Sequence, residues 1–353
     1  MHFHHPEASM NPMVAARCCL IVLIILLLAM IIIPVVVYVK MRGSTHSRYE
    51  RLFEKFIVSY NKSYSSDYER AFRYSVFVKN VAYFEEEELK HPEVDLDVTK
   101  FADWTEEEMT RVLCGNKRET QVDDGHRQFD SADINLHGKR MDEVDWVKAG
   151  KVTAVKDQGR CGSCWAFAVV GSVESAHAIA KGQLVRLSDQ ELVDCDTQSY
   201  GCSGGYLRFV RNNGLVKEDV YPYHGTDQND CALNKMLTDR LYIQNYHRLP
   251  SNEEFIADWV ATKGPAVFGM EVTRALFSYR GGIFSPTKEE CKKRSLGGHA
   301  LIFVGYGTDS NGRKYWLVKN SWGSRWGQNG YFKLARGQNA CYAAEEVFAP
   351  IIT

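Results

Sequence analysis

The chain has 353 residues, of which 45% are hydrophobic and 25% are charged, an ordinary composition for a globular protein. Its 43 basic and 44 acidic side chains nearly cancel, so electrostatics give no reason to expect a nucleic-acid partner. The sequence contains no repeat of fixed period and no long low-complexity tract.

The first predicted element is an apolar segment near the N-terminus. Residues 18–39, CCLIVLIILLLAMIIIPVVVYV, carry no charge and as a helix are long enough to cross a bilayer. The segment is longer than the apolar core of a signal peptide, and VYVKMRG is a poor cleavage site. We therefore predict a cytoplasmic tail over 1–17 and a transmembrane signal-anchor over 18–39, with a cleaved signal as the alternative.

Charge and cysteine content disagree about the side of the membrane on which the rest of the chain lies. Lys40, Arg42 and Arg48 follow the apolar segment and Arg17 precedes it, a bias that would keep the C-terminal part in the cytoplasm. Beyond residue 140, however, seven cysteines are typical of a disulfide-bonded secretory domain with one free thiol. The sequon at Asn61 can be glycosylated only in the lumen, which also favours a lumenal location. Giving the cysteines more weight, we predict a single-pass precursor of the secretory or endolysosomal pathway with a lumenal or extracellular C-terminal region.

Residues 45–90 are predicted to be helical, because they lack proline and glycine and carry aromatic residues at helical spacing. The polar stretch NKSYSSDYE separates two helices. In the second helix, side chains three or four apart share a face. These are Glu69, Arg73, Phe77, Asn80 and Phe84. Taken alone, this stripe is a packing surface.

The remaining elements change from helical to β along the chain. Residues 115–140 are polar and aperiodic, which predicts a linker sensitive to proteases. CWAFAVVGSVESAHAIAKG predicts a helix that begins near Cys164 and ends at Gly182. From about residue 265, short β runs separated by Gly, Asn and Ser predominate. This order predicts an α+β fold with a cleft between two lobes.

The stretch DQGRCGSCWAF, residues 157–167, contains a C-x-x-C whose spacing has three interpretations. Cys161 and Cys164 form a redox dithiol, half of a zinc site, or a pair in which one sulfur is structural and the other a nucleophile. Cys164 begins the predicted helix, and the positive end of the helix dipole favours its thiolate. Gln158 lies in the preceding loop, where its amide can stabilise an oxyanion together with the Cys164 backbone N–H.

Four motifs in order resemble the papain-like cysteine proteases, the cathepsin family. They are DQGRCGSCWAF, GCSGGY at 201–206, GGHALIFVGYG and YWLVKNSWGSRWG, and the resemblance spans nearly all of residues 45–353. It implies a papain-like two-lobe fold with a helical left lobe and a β-barrel right lobe. It also implies a monomeric endopeptidase that acts on proteins and peptides, is made as an inactive zymogen, and requires no cofactor or metal.

The resemblance assigns roles to particular side chains. Cys164 would attack the peptide carbonyl, and His299 would pair with it and protonate the leaving amine. Asn320 would orient His299, and Gln158 would donate to the oxyanion. The implied substrate-binding residues are Gly204, Gly205, Tyr206, Gly298, Trp322 and Glu346. The implied disulfides are Cys161–Cys202, Cys195–Cys231 and Cys291–Cys341, which leave Cys164 free among the seven. We expect Cys114, upstream of them, to be a spare thiol.

The helical stripe resembles the family's E-R-F-N-I-N propeptide pattern, from which Phe84 and Glu88 depart. The following DVTKFAD keeps Phe101 and Asp103 of the next pattern. The resemblance therefore implies an inhibitory propeptide of the cathepsin L/F type over 45–138, which crosses the cleft backwards and is removed at acidic pH. The peptidase domain would occupy 139–353, with the junction between about 125 and 142.

Glu346 departs from the family in a way that predicts specificity. The resemblance implies that it holds the position that lines the floor of the S2 pocket. A carboxylate there can pair with Arg or Lys, so the predicted P2 preference includes these basic side chains as well as apolar ones. The alternative is that Glu346 points to solvent.

Two other functions are compatible with parts of the sequence. One is a thiol–disulfide oxidoreductase, for which the sequence lacks a βαβ context, and the other is a non-catalytic membrane-tethered binding or inhibitor module on the same fold.

Overall fold

The structure is a computed structural model that describes residues 26, 30–34, 48–114, 141–205, 210–227, 231–232 and 239–352. Among these residues, no helix has both the length and the apolar character needed to cross a membrane. The predicted tail over 1–17, most of the predicted anchor over 18–39 and the predicted linker over 115–140 lie outside the described residues.

The chain divides into two compact units, Met1–Arg70 and Ala71–Thr353. In the first, helix α1 is described over 48–59. Its rings lie at the predicted helical spacing: Phe53 stacks on Phe56 with centroids 6.2 Å apart, and Phe56 contacts Tyr60 at 5.4 Å. Helix α2 (Asp67–Lys90) begins at the end of this unit and continues into the second.

The second unit begins with the remainder of α2 and two short elements, β1 (Val94–Leu96) and α3 (Glu106–Arg111). The buried face of α2 follows the predicted stripe. It consists of Phe77, Asn80, Val81, Phe84 and Glu87. Helix α3 begins with a capping box, in which the Thr105 side chain accepts from the Glu108 backbone and the Glu108 side chain accepts from the Thr105 backbone.

Three helices come next in the described part of the chain: α4 (Cys164–Lys181), α5 (Asp189–Cys195) and α6 (Val210–Asn213). Helix α4 is apolar and buried from Cys164 to Ser175. It ends at Gly182, whose φ of 74° is left-handed and favours glycine. The predicted bounds of this helix are therefore those of the structure.

The second half of the chain is dominated by strands with two helices between them. These strands are β3 (Asn245–Arg248), β4 (Ala266–Thr273), β5 (Tyr279–Phe284), β6 (Ser295–Thr308), β7 (Lys314–Lys319), β8 (Tyr331–Ala335) and β9 (Val347–Ile351), while β2 (Val144–Asp145) precedes α4. The helices are α7 (Glu253–Thr262) and α8 (Lys288–Arg294). The strand order is β1-β5-β8-β7-β6-β4-β9-β3, with β2 paired to β6. Helices followed by this sheet confirm the α+β class.

Candidate active site

Three elements bring the predicted catalytic side chains together. Cys164 is the fully buried first residue of α4, His299 lies on β6, and Asn320 directly follows β7. His299 Nε2 lies 2.8 Å from Asn320 Oδ1, which can only accept, so Nε2–H is the donor. Trp322 stacks on the imidazole with ring centroids 4.8 Å apart. The indole thus covers the His299–Asn320 contact.

His299 is held as a neutral imidazole in this state. Burial lowers its pKa to about 4 and outweighs the hydrogen bond to Asn320, which acts in the opposite direction. With Nε2 bonded to Asn320, Nδ1 is the ring nitrogen left for chemistry. A ring nitrogen of His299 lies within 4.8 Å of the sulfurs of both Cys164 and Cys114.

The side-chain amide of Gln158, which is predicted to donate to the oxyanion, already donates to two backbone carbonyls. Its Nε2 donates to the Val112 carbonyl at 2.7 Å and to the Cys161 carbonyl at 2.8 Å, while its Oε1 accepts from Ser321 Oγ at 2.6 Å. Val112 belongs to the segment that follows α3. A carbonyl from upstream in the chain therefore occupies the donor that the sequence assigns to the oxyanion.

Two of the three glycines predicted to bind substrate, Gly204 and Gly298, contact this same upstream segment. The Cys114 backbone N–H donates to the Gly298 carbonyl at 2.8 Å. A side chain on Gly204 would collide with the Cys114 carbonyl, and Gly204 also has a φ of 113°. Gly205 packs against the Trp165 ring, which leaves no space for a side chain. Tyr206 lies outside the described residues.

The three disulfides named from the resemblance are present: Cys161–Cys202, Cys195–Cys231 and Cys291–Cys341. The sulfurs of Cys114 and Cys164 are in contact in the structure, so Cys114 is not the spare thiol that the sequence predicts, and the free state of Cys164 stays a prediction. One free thiol is expected when only the seven cysteines beyond residue 140 are counted, and this count leaves out Cys114.

Glu346 lies beside β4 on the His299 side of the site. The Gly269 backbone N–H donates to the Glu346 carbonyl at 3.1 Å. The Glu346 carboxylate lies 3.6 Å from where a Cβ of Gly269 would stand. Gly269 pairs with Ala300, the neighbour of His299 in β6. Glu346 is partly buried at this position.

Several contacts hold the upstream segment against the site. The Phe101 ring lies 5.1 Å from those of both Phe277 and Trp322, so it packs behind the indole that covers His299. Strand β1 pairs antiparallel with β5. Within the upstream part of the chain itself, Asn80 Nδ2 donates to the carbonyls of Ala102 and Trp104 at 2.8 and 2.9 Å, while Asn80 Oδ1 accepts from Arg274 beyond it.

Charged pairs add to these contacts. Arg294 forms a bidentate pair with Glu87 at 2.9 Å that joins the upstream part to the rest of the molecule. The bidentate pair of Arg73 with Glu108, at 2.6 and 2.8 Å, lies within the upstream part. Sequence reasoning identified the stripe but not its partners, nor residues 112–114 in the cleft. The propeptide patterns do not indicate that residues 112–114 enter the cleft. The one signal in the sequence was Cys114, a cysteine shortly after the second pattern.

The predicted glycosylation site is accessible. Asn61 is exposed and follows α1 in a turn with a φ of 50°, a left-handed conformation that asparagine tolerates. An exposed turn offers an acceptor side chain to a modifying enzyme.

Comparison with known proteins agrees with this geometry. The family model "Papain family cysteine protease" matches residues 141–351, and "Cathepsin propeptide inhibitor domain (I29)" matches residues 53–109. The chain is 35% identical to cathepsin F of Drosophila melanogaster and 38% identical to cathepsin F of Mus musculus, over 89% and 82% of its length. It spans only 52% and 62% of those two relatives.

A solved structure extends the similarity to the zymogen. Digestive procathepsin L2 from the larval midgut of Tenebrio molitor superposes with a TM-score of 0.75 at 34% identity. The match covers 86% of this chain and all of the other.

Proposed function

Since the chain belongs to the papain family of cysteine proteases, we propose that it is a cysteine endopeptidase made as an inactive zymogen. The single observation that carries the proposal is the approach of Cys164, the His299–Asn320 pair and Gln158 in one cleft. Because these residue types are the nucleophile, base, orienting amide and oxyanion donor of acyl transfer, their convergence supports peptide hydrolysis.

The reaction follows from these side chains. The Cys164 thiolate attacks the peptide carbonyl carbon, and the oxyanion accepts hydrogen bonds from Gln158 Nε2 and the Cys164 N–H. Protonated His299 gives its proton to the leaving amine, which leaves a thioester on Cys164. His299 then removes a proton from water, and the resulting attack releases the acid and restores the thiolate. Asn320 keeps the ring oriented throughout, beneath Trp322.

The propeptide is proposed to comprise residues 45–138 and the peptidase domain residues 139–353. The Val112 carbonyl in the oxyanion position and the Cys114–Gly298 hydrogen bond support inhibition by occupation of the cleft. Substrate and propeptide would therefore compete for Gly204, Gly205, Tyr206 and Gly298. The three disulfides of the peptidase domain favour a secretory or endolysosomal location.

Membrane attachment through residues 18–39, glycosylation at Asn61 and a monomeric state remain part of the proposal. The uncharged run in the sequence supports the anchor, and the exposed turn supports the glycan. A cleaved signal is the alternative to the anchor, and N-terminal sequencing of the secreted or membrane-bound protein separates the two.

We propose that P2 specificity includes Arg or Lys as well as apolar side chains. The position of the Glu346 carboxylate beside Gly269, across from Ala300, supports a negative charge near the substrate cleft. A basic P2 side chain would pair with it.

The test uses the full precursor, activated with acid and a reductant and assayed with fluorogenic peptides that vary only at P2. The Cys164→Ala variant should lose all peptidase activity, and activity that persists would contradict the function. The Glu346→Ala variant should cleave the peptide with Arg at P2 about tenfold or more slowly, while its rate with Leu at P2 changes little. An unchanged Arg rate would show that Glu346 does not face S2, without affecting the endopeptidase proposal.

The second function considered from the sequence, a non-catalytic binding or inhibitor module, is not favoured. It would be expected if Cys164, His299 or Asn320 were replaced, and all three are present.

A further inference from the structure

The segment after α3 enters the cleft with defined register. On one side, the Val112 carbonyl accepts from Gln158, and on the other the Cys114 N–H donates to the Gly298 carbonyl. Leu113, between them, is buried and lies against Gly297. The hydrogen bonds of Val112 and Cys114, one on each side of the buried Leu113, fix the position of the Cys114 backbone.

That register places Cys114 over the nucleophile. The Cα atoms of Cys114 and Cys164 are 6.1 Å apart, within the range that a disulfide spans, and the two sulfurs are in contact. Cys164 is fully buried, whereas Cys114 is only partly buried. A small thiol or disulfide in solution can therefore reach the pair from the Cys114 side.

We propose that Cys114 and Cys164 form a regulatory disulfide, so that the zymogen needs a reductant in addition to removal of its propeptide. The inference rests on the proposed function, because it concerns the nucleophile of that reaction. A bonded sulfur has no thiolate with which to attack a peptide. Cleavage of the backbone between Cys114 and the start of the peptidase domain leaves the propeptide attached to the enzyme through this bond.

The bond forms and breaks by thiol–disulfide exchange. The Cys114 thiolate attacks a low-molecular-weight disulfide such as glutathione disulfide, forming a mixed disulfide on Cys114 and releasing one thiolate. The Cys164 thiolate then attacks the Cys114 sulfur and releases the second. Two protein thiols lose two protons and two electrons in total, and the small disulfide becomes two thiols. Two equivalents of a small thiol reverse the sequence and free Cys164.

The environment favours exchange at Cys164. The sulfur stands at the N-terminus of α4, an 18-residue helix whose dipole stabilises the thiolate as nucleophile and as leaving group. A ring nitrogen of His299 lies within 4.8 Å of both sulfurs and can accept or return a proton during exchange. When both thiols are reduced, the same three groups could hold a soft metal ion, which the test must separate from the disulfide.

The experiment uses the full precursor, secreted without added reductant, and a Cys114→Ser variant made in parallel. All samples contain a chelator, so that a metal ion on Cys114, Cys164 and His299 cannot imitate the disulfide. Non-reducing peptide mapping of the wild type should yield a linked Cys114–Cys164 peptide. After acid treatment, labelling of Cys164 by a tagged peptidyl epoxide and peptidase activity are measured with and without a small thiol.

We expect the thiol to raise labelling and activity of the wild type by about tenfold or more, and those of Cys114→Ser by less than about twofold. The variant also controls for oxidation of Cys164 by other routes, since such oxidation would make both proteins depend on thiol. The inference is overturned if no linked peptide is found, if wild type and variant respond alike, or if the chelator alone activates the wild type. Absence of activity from both proteins with thiol present would instead contradict the proposed function.

Discussion

The His299 imidazole is only 2% exposed while the propeptide occupies the cleft, and burial lowers its pKa to about 4. Once the cleft opens to water, the ring returns toward an ordinary pKa of about 6.5. Between these values the open state binds a proton that the closed state does not. The closed state therefore loses stability as pH falls from about 6.5 to about 4, by up to about 3 kcal/mol.

This predicts that acid favours release of the propeptide through His299. NMR titration of ring-labelled histidine in the full precursor, assigned with a His299→Gln variant, should give a pKa near 4. After reduction and removal of the propeptide, the same resonance should titrate above about 6, because the Cys164 thiolate then favours the imidazolium. An ordinary value in the closed precursor would contradict the argument.

Sequence alone could identify Cys164, His299, Asn320 and Gln158, because the chemistry of acyl transfer restricts those positions to few residue types. It could not identify the partner of Cys164. That partner depends on where the chain runs after α3, which no local pattern specifies.

At the scale of elements, helix α2 shows what attaches the propeptide. Asn80 is buried, donates to the carbonyls of Ala102 and Trp104, and accepts from Arg274. Replacing Asn80 with alanine would leave these buried groups without their partner, at a cost of about 1–3 kcal/mol. We expect Asn80→Ala, in a Cys114→Ser background that removes the disulfide, to process itself about tenfold faster at a given acidic pH.

The matched control is Lys79→Ala in the same background, since Lys79 adjoins Asn80 on α2 but is exposed. Processing is followed by gel electrophoresis across a pH series. Equal rates for the two variants would mean that the Asn80 contacts do not hold the propeptide closed.

The helical spacing predicted the buried face of α2, since that periodicity is a local property. It did not predict Arg274, nor the three-residue strand β1. Arg274 lies far along the chain, and β1 is too short to show an alternating pattern and exists through its pairing with β5.

At the scale of the whole molecule, the order of helices and strands was predictable because turn residues separate periodic segments. The buried charged residues that join the helices to the sheet were not predictable from the sequence. Glu174, in the interior of α4, accepts from Thr153 Oγ1, from Lys156 Nζ at 3.1 Å and from the Leu187 N–H at 2.8 Å. Lys319, at the end of β7, donates to Thr153 Oγ1 at 2.9 Å, so the network connects helix and sheet. An α-helical pattern gives no indication that a glutamate within it is fully buried.

This network gives a prediction for the stability of the molecule. In Glu174→Ala, Lys156 and Lys319 would remain buried with less compensating charge, so we expect the free energy of unfolding to fall by about 3–5 kcal/mol. Burial already lowers the pKa of Lys319 to about 8 despite Glu174, and loss of that carboxylate would lower it further. The control is Lys293→Ala, which removes an exposed pair with Glu289 and should cost about 0.5 kcal/mol or less. Thermal unfolding of the two precursors at neutral pH measures the difference, and similar melting temperatures would mean that the buried network does not stabilise the fold.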